Sequence, residues 1–151
     1  MTVRQSNTRE LQGDDHFCLP IYAAWHTISK AYQKYLHPLD LTYVEYMALV
    51  LLWENDHRMV KEFTEAFATK TSTVTPLLKK LEVRGLVIRE KDKDDGRSVR
   101  ISLTNEGRAL KRETSDIQAC MVHETGLSQA ELSDLVSMVV RLKKGLEAAT
   151  L

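Results

Sequence analysis

The chain has little of several things that would fix its class at once. Only two cysteines, Cys18 and Cys120, occur in 151 residues. That is too few for a disulfide framework, and no Cys-x-x-Cys pair is present, so a reducing, cytoplasmic setting is expected. The five histidines (16, 26, 37, 57 and 123) lack zinc-ligand spacing, so neither a metal nor another cofactor is expected. No run of ~18 apolar residues exists, and no membrane span is expected. The opening stretch MTVRQSNTRELQGDDHF has no apolar core and does not read as a secretory signal. Residues 1–16 read instead as a flexible arm.

Net charge is missing too: 21 Lys+Arg stand against 21 Asp+Glu. The balance hides an asymmetry. Residues 60–112 hold 13 basic and 8 acidic side chains, and the rest of the chain holds 8 and 13. One region is therefore the electrostatic face for an anionic partner, although solvated charge clusters of this size are common.

What is present is mostly helical periodicity. Ile21, Ala24, Trp25, Ile28, Ala31, Tyr32 and Tyr35 recur at three- and four-residue steps and predict an amphipathic helix over about 17–36. Either Asp14 or Asp15 can cap it, while Pro20 prefers the first turn, and Cys18 falls near the N-terminus in both cases. Thr42 and Glu45 form a capping box for a short helix to about Glu54. Asn55-Asp56-His57-Arg58 breaks it, and a second short helix runs from Val60 to Phe67. After Ala68-Thr69-Lys70 comes a helix with Val74, Leu77, Leu78 and Leu81 on its buried side, stopped by Gly85. The period then changes to that of strands over 86–90 and 98–103, joined by a polar turn. Val99, Ile101 and Leu103 share one face of the second strand. Thr104 caps a helix to roughly His123. Ser128 and Glu131 open a last one with Leu132, Leu135, Val136, Val139, Leu142 and Leu146 on one side.

Two short helices, a three-residue turn and a hairpin make the winged helix-turn-helix order. The second of these helices begins with Thr71, Ser72, Thr73, Thr75 and Pro76. Its short hydroxyls reach phosphate oxygens or base edges with little loss of side-chain entropy. Lys79 and Lys80 follow, placed to neutralise phosphates. In the hairpin, Asp95-Gly96-Arg97-Ser98 is flanked by Lys91, Lys93 and Arg100. An arginine at the tip, oriented by Asp95, suits a narrow and electronegative minor groove. Each feature also has a plain reading, as a hydroxyl-rich helix cap or a solvated polar turn.

The run from Thr71 to Gly107, with Leu77-Leu78-Lys79-Lys80-Leu81-Glu82, Gly85-Leu86-Val87, Asp95-Gly96-Arg97-Ser98 and Leu103-Thr104-Asn105-Glu106-Gly107, resembles the MarR family. The resemblance implies a mainly α fold with a small β-hairpin wing. It also implies a homodimer joined through its N- and C-terminal helices and bound to double-stranded DNA. The expected organisation is a dimerisation helix over 17–41, a winged helix-turn-helix over 42–104 and dimerisation helices over 105–151. A two-fold dimer reads a pseudo-palindromic operator with half-sites about one helical turn apart. Phe63 and Phe67 stand where smaller aliphatic residues are usual in the family.

Within that family, Phe17-Cys18-Leu19-Pro20-Ile21-Tyr22-Ala23-Ala24 and Leu41-Thr42-Tyr43 resemble the organic-hydroperoxide resistance regulators. The resemblance implies that Cys18 is the peroxide-reactive thiol, that Tyr32 and Tyr43 donate hydrogen bonds to it with Tyr22 nearby, and that organic hydroperoxides are the oxidant. Cys120 resembles the resolving cysteine of the two-cysteine regulators, contributed by the other subunit. The alternative is a mixed disulfide with a small thiol, leaving Cys120 as filler. A thiolate is the attacking species, and a helix N-terminus favours it. If Cys18 and Tyr32 share one helix, fourteen residues put them about 21 Å apart, so contact requires a second subunit.

The expectation is a repressor, not an enzyme, that binds its operator when reduced and leaves it when Cys18 is oxidised. Three rivals stand beside it: a repressor that answers to a small aromatic ligand, a thiol peroxidase, and a winged helix used only for protein contacts. Against the peroxidase, no arginine and no Cys-x-x-Cys partner neighbours Cys18.

Overall fold

A computed structural model describes residues 16–150, so the arm expected over residues 1–16 lies outside the described residues except for His16. Among these residues, seven α-helices and three short strands follow one another. The chain forms two units, one ending at Lys111 and the other beginning at Arg112.

The first unit opens with α1 (Cys18–Leu36), whose N-cap is Phe17 without a side-chain cap bond. A short 3-10 turn over His37–Leu39 ends at Asp40 in the left-handed region. Helix α2 (Tyr43–Glu54) carries the expected capping box: Thr42 Oγ1 accepts from the Glu45 amide and Glu45 accepts from the Thr42 amide at 2.8 Å. With apolar residues on nearly every side it lies in the core, burying Tyr46, Ala48, Leu49 and Leu52. Helix α3 (Val60–Ala66) starts where Glu62 accepts the Met59 amide, and Phe63 beneath it is 0% exposed. The large Phe63 is thus accommodated as the centre of the core, with Phe67 at 6.5 Å ring to ring. Ala68 takes a positive φ of 48° to turn the chain into α4 (Thr71–Val83).

Gly85, with φ of 71°, stops that helix, as expected. Strands β2 (Val87–Lys91) and β3 (Val99–Leu103) pair antiparallel with Val87 opposite Leu103 and Lys91 opposite Val99. Ile101 and Leu103 are buried and Val99 is half-buried. A third strand, β1 (Arg58–Met59), pairs with the other side of β3, giving the order β1-β3-β2. Two residues are too few to display an alternating pattern, so this strand leaves no signal in the sequence.

Helix α5 (Asn105–Glu113) is capped by Thr104, whose hydroxyl accepts from the Gly107 amide at 3.0 Å and donates to the Gly85 carbonyl at 2.6 Å. At Gly107 an added Cβ would overlap the Leu86 carbonyl oxygen, so only glycine lets α5 settle this close to the wing. Trp53 Nε1 donates to the Gly107 carbonyl at 2.9 Å and fixes the same contact from α2.

The single helix expected from Thr104 to roughly His123 is in fact two. The helix stops at Glu113, and α6 (Ile117–Thr125) begins after Thr114-Ser115-Asp116. Short hydroxyl and carboxylate side chains compete for the backbone in such a run, and the Ser115 hydroxyl donates to Asp116 at 3.2 Å. In the second unit, α7 (Gln129–Ala149) has its predicted capping box from Ser128 and Glu131. No helix among the described residues is long and apolar enough to cross a membrane.

Candidate nucleic-acid interface and redox centre

Helix α4 divides as its sequence pattern predicts. Val74, Leu78 and Leu81 are buried, Leu77 is half-buried, and Thr71, Ser72, Thr73, Pro76, Lys79 and Lys80 are exposed. Thr75 is half-buried. No acidic side chain sits in the first turn and no side chain caps it, so its positive end stays open towards an anion. A cleft of about 530 Å³ lies beside this turn, lined among others by Lys61, Thr71, Thr75, Arg89 and Arg97. It brings Thr71 and Thr75 of α4 and the wing Arg97 to one surface, while Thr73 lines a separate cavity against α2.

The wing is held differently from the expectation. Asp95 accepts from the Arg97 amide at 3.0 Å and the Ser98 hydroxyl at 2.7 Å. It shapes the turn backbone, and among the described residues it makes no bond to the Arg97 guanidinium. The carboxylate that organises the hairpin is Asp92, which sequence reasoning missed. One oxygen accepts the amides of Asp94 and Asp95 at 3.0 and 3.1 Å; the other accepts Arg100 Nε and Nη2 at 3.0 and 2.6 Å. Arg100 in turn donates to the His57 carbonyl at 2.6 Å, tying the wing to the loop before β1. The Arg100 guanidinium, followed by the two amides, holds the Asp92 carboxyl below the usual range. An aspartate followed by amides two and three residues on is an Asx-turn signal, and Asp92-Lys93-Asp94-Asp95 contained it. Lys91 and Lys93 are exposed on this hairpin.

Lys80 also differs from Lys79. Its ammonium lies 2.8 Å from Glu45 Oε1, so its charge is directed at α2, although 60% of its side chain remains exposed.

The redox residues fall into separate places. Cys18 is the first residue of α1, exposed, with Tyr22 one turn further on and stacked edge-on against His26 at 4.5 Å. Tyr32 lies fourteen residues along the same helix, about 21 Å away by helical rise. There it belongs to an aromatic cluster with ring centroids 4.7 Å from Tyr43 and 5.7 Å from Tyr46, and Trp25 packs edge-on against Tyr43 at 5.3 Å. Sequence reasoning named Tyr32 and Tyr43 but not Tyr46, although Tyr43 and Tyr46 are three residues apart and so share a helix face. Burial, reinforced by the neighbouring Tyr43 and Tyr46, raises the Tyr32 phenol to about 12, and burial likewise raises Tyr43 and Tyr46. These hydroxyls stay protonated and keep a proton to donate. Cys120, in α6 of the second unit, is a half-buried free thiol. Among the described residues no group of three or more His, Cys, Asp or Glu could hold a metal ion.

An open apolar cavity of about 600 Å³ adjoins the cluster, lined by residues including Trp25, Tyr43, Met47, Phe67 and Leu77.

Comparison with known proteins gives a consistent picture. Residues 30–114 match the family model described as transcriptional regulator SarA/Rot. The organic hydroperoxide resistance transcriptional regulator of Bacillus subtilis is 36% identical over 129 residues, which is 85% of this chain and 88% of that protein. The regulator SarZ of Staphylococcus aureus is 37% identical over 121 residues, 80% of this chain and 81% of its own. Among solved structures, reduced AbfR bound to DNA superposes with a TM-score of 0.77 at 26% identity, covering 91% of this chain and 94% of that one. Overoxidised AbfR bound to DNA gives 0.72 at 25%, covering 88% and 93%.

Proposed function

This chain belongs to the SarA/Rot family of MarR-type winged-helix transcriptional regulators, and from that premise we propose that it is a homodimeric repressor switched off by oxidation of Cys18. The observation that carries the proposal is the division of the redox residues. An exposed thiol opens α1, and the protonated Tyr32–Tyr43 pair lies at the far end of the same helix. The Tyr32 and Tyr43 hydroxyls serve the thiolate only if a second subunit brings them there. The thiol's oxidation state and the dimer's geometry are then one variable.

In the reduced protein, the open end of α4 and its threonines enter the major groove, and Arg97 of the wing enters the minor groove. The Cys18 thiolate attacks the outer oxygen of an organic hydroperoxide. The S–O bond forms as the O–O bond breaks, the alkoxide takes a proton and leaves as an alcohol, and Cys18 becomes a sulfenic acid. The thiol of Cys120 from the other subunit displaces water from that sulfur and forms a disulfide; thiol reductants reverse it. The new bond demands a different subunit arrangement and moves the paired recognition helices off their half-site spacing. A preference of a few kcal/mol between the two arrangements is enough to release DNA. The relatives support a redox-sensitive DNA-binding regulator, since one is a hydroperoxide resistance regulator and another has been solved on DNA in reduced and overoxidised forms. The release step rests on the placement of Cys18 and the tyrosines.

The test pairs DNA release with non-reducing gels. Cys18→Ser is expected to bind DNA and to stay bound under hydroperoxide, and a covalent dimer is expected to need both sulfurs. Release of the Cys18→Ser protein by hydroperoxide refutes the sensor assignment. A second reading, a repressor answering to a small aromatic ligand, is favoured by the apolar cavity beside Trp25 and Phe67. Release by salicylate-like compounds but not by peroxide selects it.

A further inference from the structure

The corner between α1 and α2 holds a charge cluster that neither DNA contact nor thiol chemistry uses. Glu45 is 1% exposed, and a carboxylate buried to that degree is destabilising unless it is paired. Its Oε2 accepts the Thr42 amide and lies 3.9 Å from Arg84 Nη1, while its Oε1 lies 2.8 Å from Lys80 Nζ. Arg84 also donates to the carbonyl of Leu39 at 3.0 Å and to that of Asp40. Burial alone would raise the Glu45 carboxyl, but the bonds from Lys80 and Thr42 outweigh it and hold the group below its ordinary value.

Lys80 lies in the last turn of α4 and Arg84 is its C-cap, four residues on. The rear of the recognition helix is therefore clamped onto residues 39–45. The first turn of α2 carries two things at once: Tyr43, packed on Tyr32 and Trp25, and Glu45, which holds the clamp. Two residues apart in one hydrogen-bonded turn, they move together.

We infer that Glu45 is the positioning residue that couples the tyrosine cluster to the recognition helix, through its buried ion pairs with Lys80 and Arg84. The inference rests on the redox reading above and deepens it. When oxidation of Cys18 withdraws the thiolate from the tyrosines, Tyr43 shifts and the first turn of α2 shifts with it. Glu45 cannot shed its cations without standing unpaired in a buried site. The end of α4 therefore follows α2 instead of detaching from it.

Glutamine serves as well as glutamate at the third position of a capping box. Glu45→Gln thus keeps the α2 cap and the side-chain volume while removing the charge. The experiment uses the full-length protein and, as probe, a duplex selected from random-sequence DNA by the reduced wild type. Three quantities are measured before and after cumene hydroperoxide: affinity for the duplex, melting temperature and the rate of Cys18 thiol loss. The expected result is that the ratio of oxidised to reduced Kd falls at least tenfold in Glu45→Gln, with thiol loss as fast as in wild type. A purely structural role would change the melting temperature and weaken both states alike. An unchanged ratio overturns the inference. Should Glu45→Gln fail to fold, Arg84→Gln is expected to lower the ratio in the same way, and an unchanged ratio there is equally fatal. If the wild type itself is not released by hydroperoxide, the redox reading fails and takes the coupling with it. If both proteins are released alike, only the coupling fails.

Discussion

Helices α2 and α7 are both rich in leucine and valine, yet they meet opposite surroundings. In twelve residues α2 buries Tyr46, Ala48, Leu49 and Leu52. In twenty-one residues α7 buries none, and Leu135, Val136, Met138, Val139, Val140 and Leu146 are exposed. The first part of α1, with its N-cap Phe17, resembles α7: Phe17, Leu19, Ile21, Tyr22, Trp25 and Ile28 are exposed, while Tyr32 and Leu36 further along are buried. The difference teaches that the winged region closes its own core, whereas the terminal helices leave apolar faces uncovered in a single chain. Single exposed apolar residues are ordinary, but contiguous rows of them mark interaction surfaces. A second copy of the chain is the occupant that the proposed function requires.

The contrast is broken most severely by charging the α7 face. Leu135→Asp combined with Val139→Asp places two carboxylates on one side of the helix. We expect a monomer by analytical ultracentrifugation and a loss of DNA affinity of about 100-fold or more, because two linked half-sites bind far more tightly than one. A dimer of undiminished stability would contradict the assignment of that face. The same contrast is sharpened from the other side by Phe63→Ala in the closed core. Removal of a fully buried ring is expected to lower unfolding free energy by about 3–5 kcal/mol in a denaturant titration. A loss below about 1 kcal/mol would mean that α3 is not anchored there.

The smallest effect concerns the buried end of α1. The Tyr32 phenol is raised to about 12 in the folded protein, above its unfolded value of about 10. A raised folded value means that its stabilising contribution is complete below pH of about 10 and is lost as pH climbs through 12. Ultraviolet titration of the native protein should show late tyrosine ionisation, and Tyr32→Phe should reduce its amplitude by one ring, leaving the raised Tyr43 and Tyr46. A full set of tyrosines ionising near 10 would place this ring in water.

Much of this was readable from residue order because the signals are local. The capping boxes at Thr42–Glu45 and Ser128–Glu131 join groups three residues apart, and Gly85 ends α4 because it tolerates a positive φ. The threonine-led face of α4 follows from helical period alone. What stayed hidden joins distant positions or is too short to be periodic. Strand β1 has two residues, the break at Thr114–Asp116 is a contest between hydroxyls and helix, and Asp92 matters because the Arg100 side chain reaches it from the other strand.

The sequence by itself determined that there would be a winged helix with a hydroxyl-rich recognition turn, since short-range periodicity and capping dictate those elements. Only tertiary structure decided that Lys80 turns inward to Glu45, that Asp95 holds a backbone and not the guanidinium, and that Tyr46 joins Tyr32 and Tyr43. Partners in buried charge and aromatic packing are chosen by distance in space. Sequence separation carries no record of that until the chain has closed on itself.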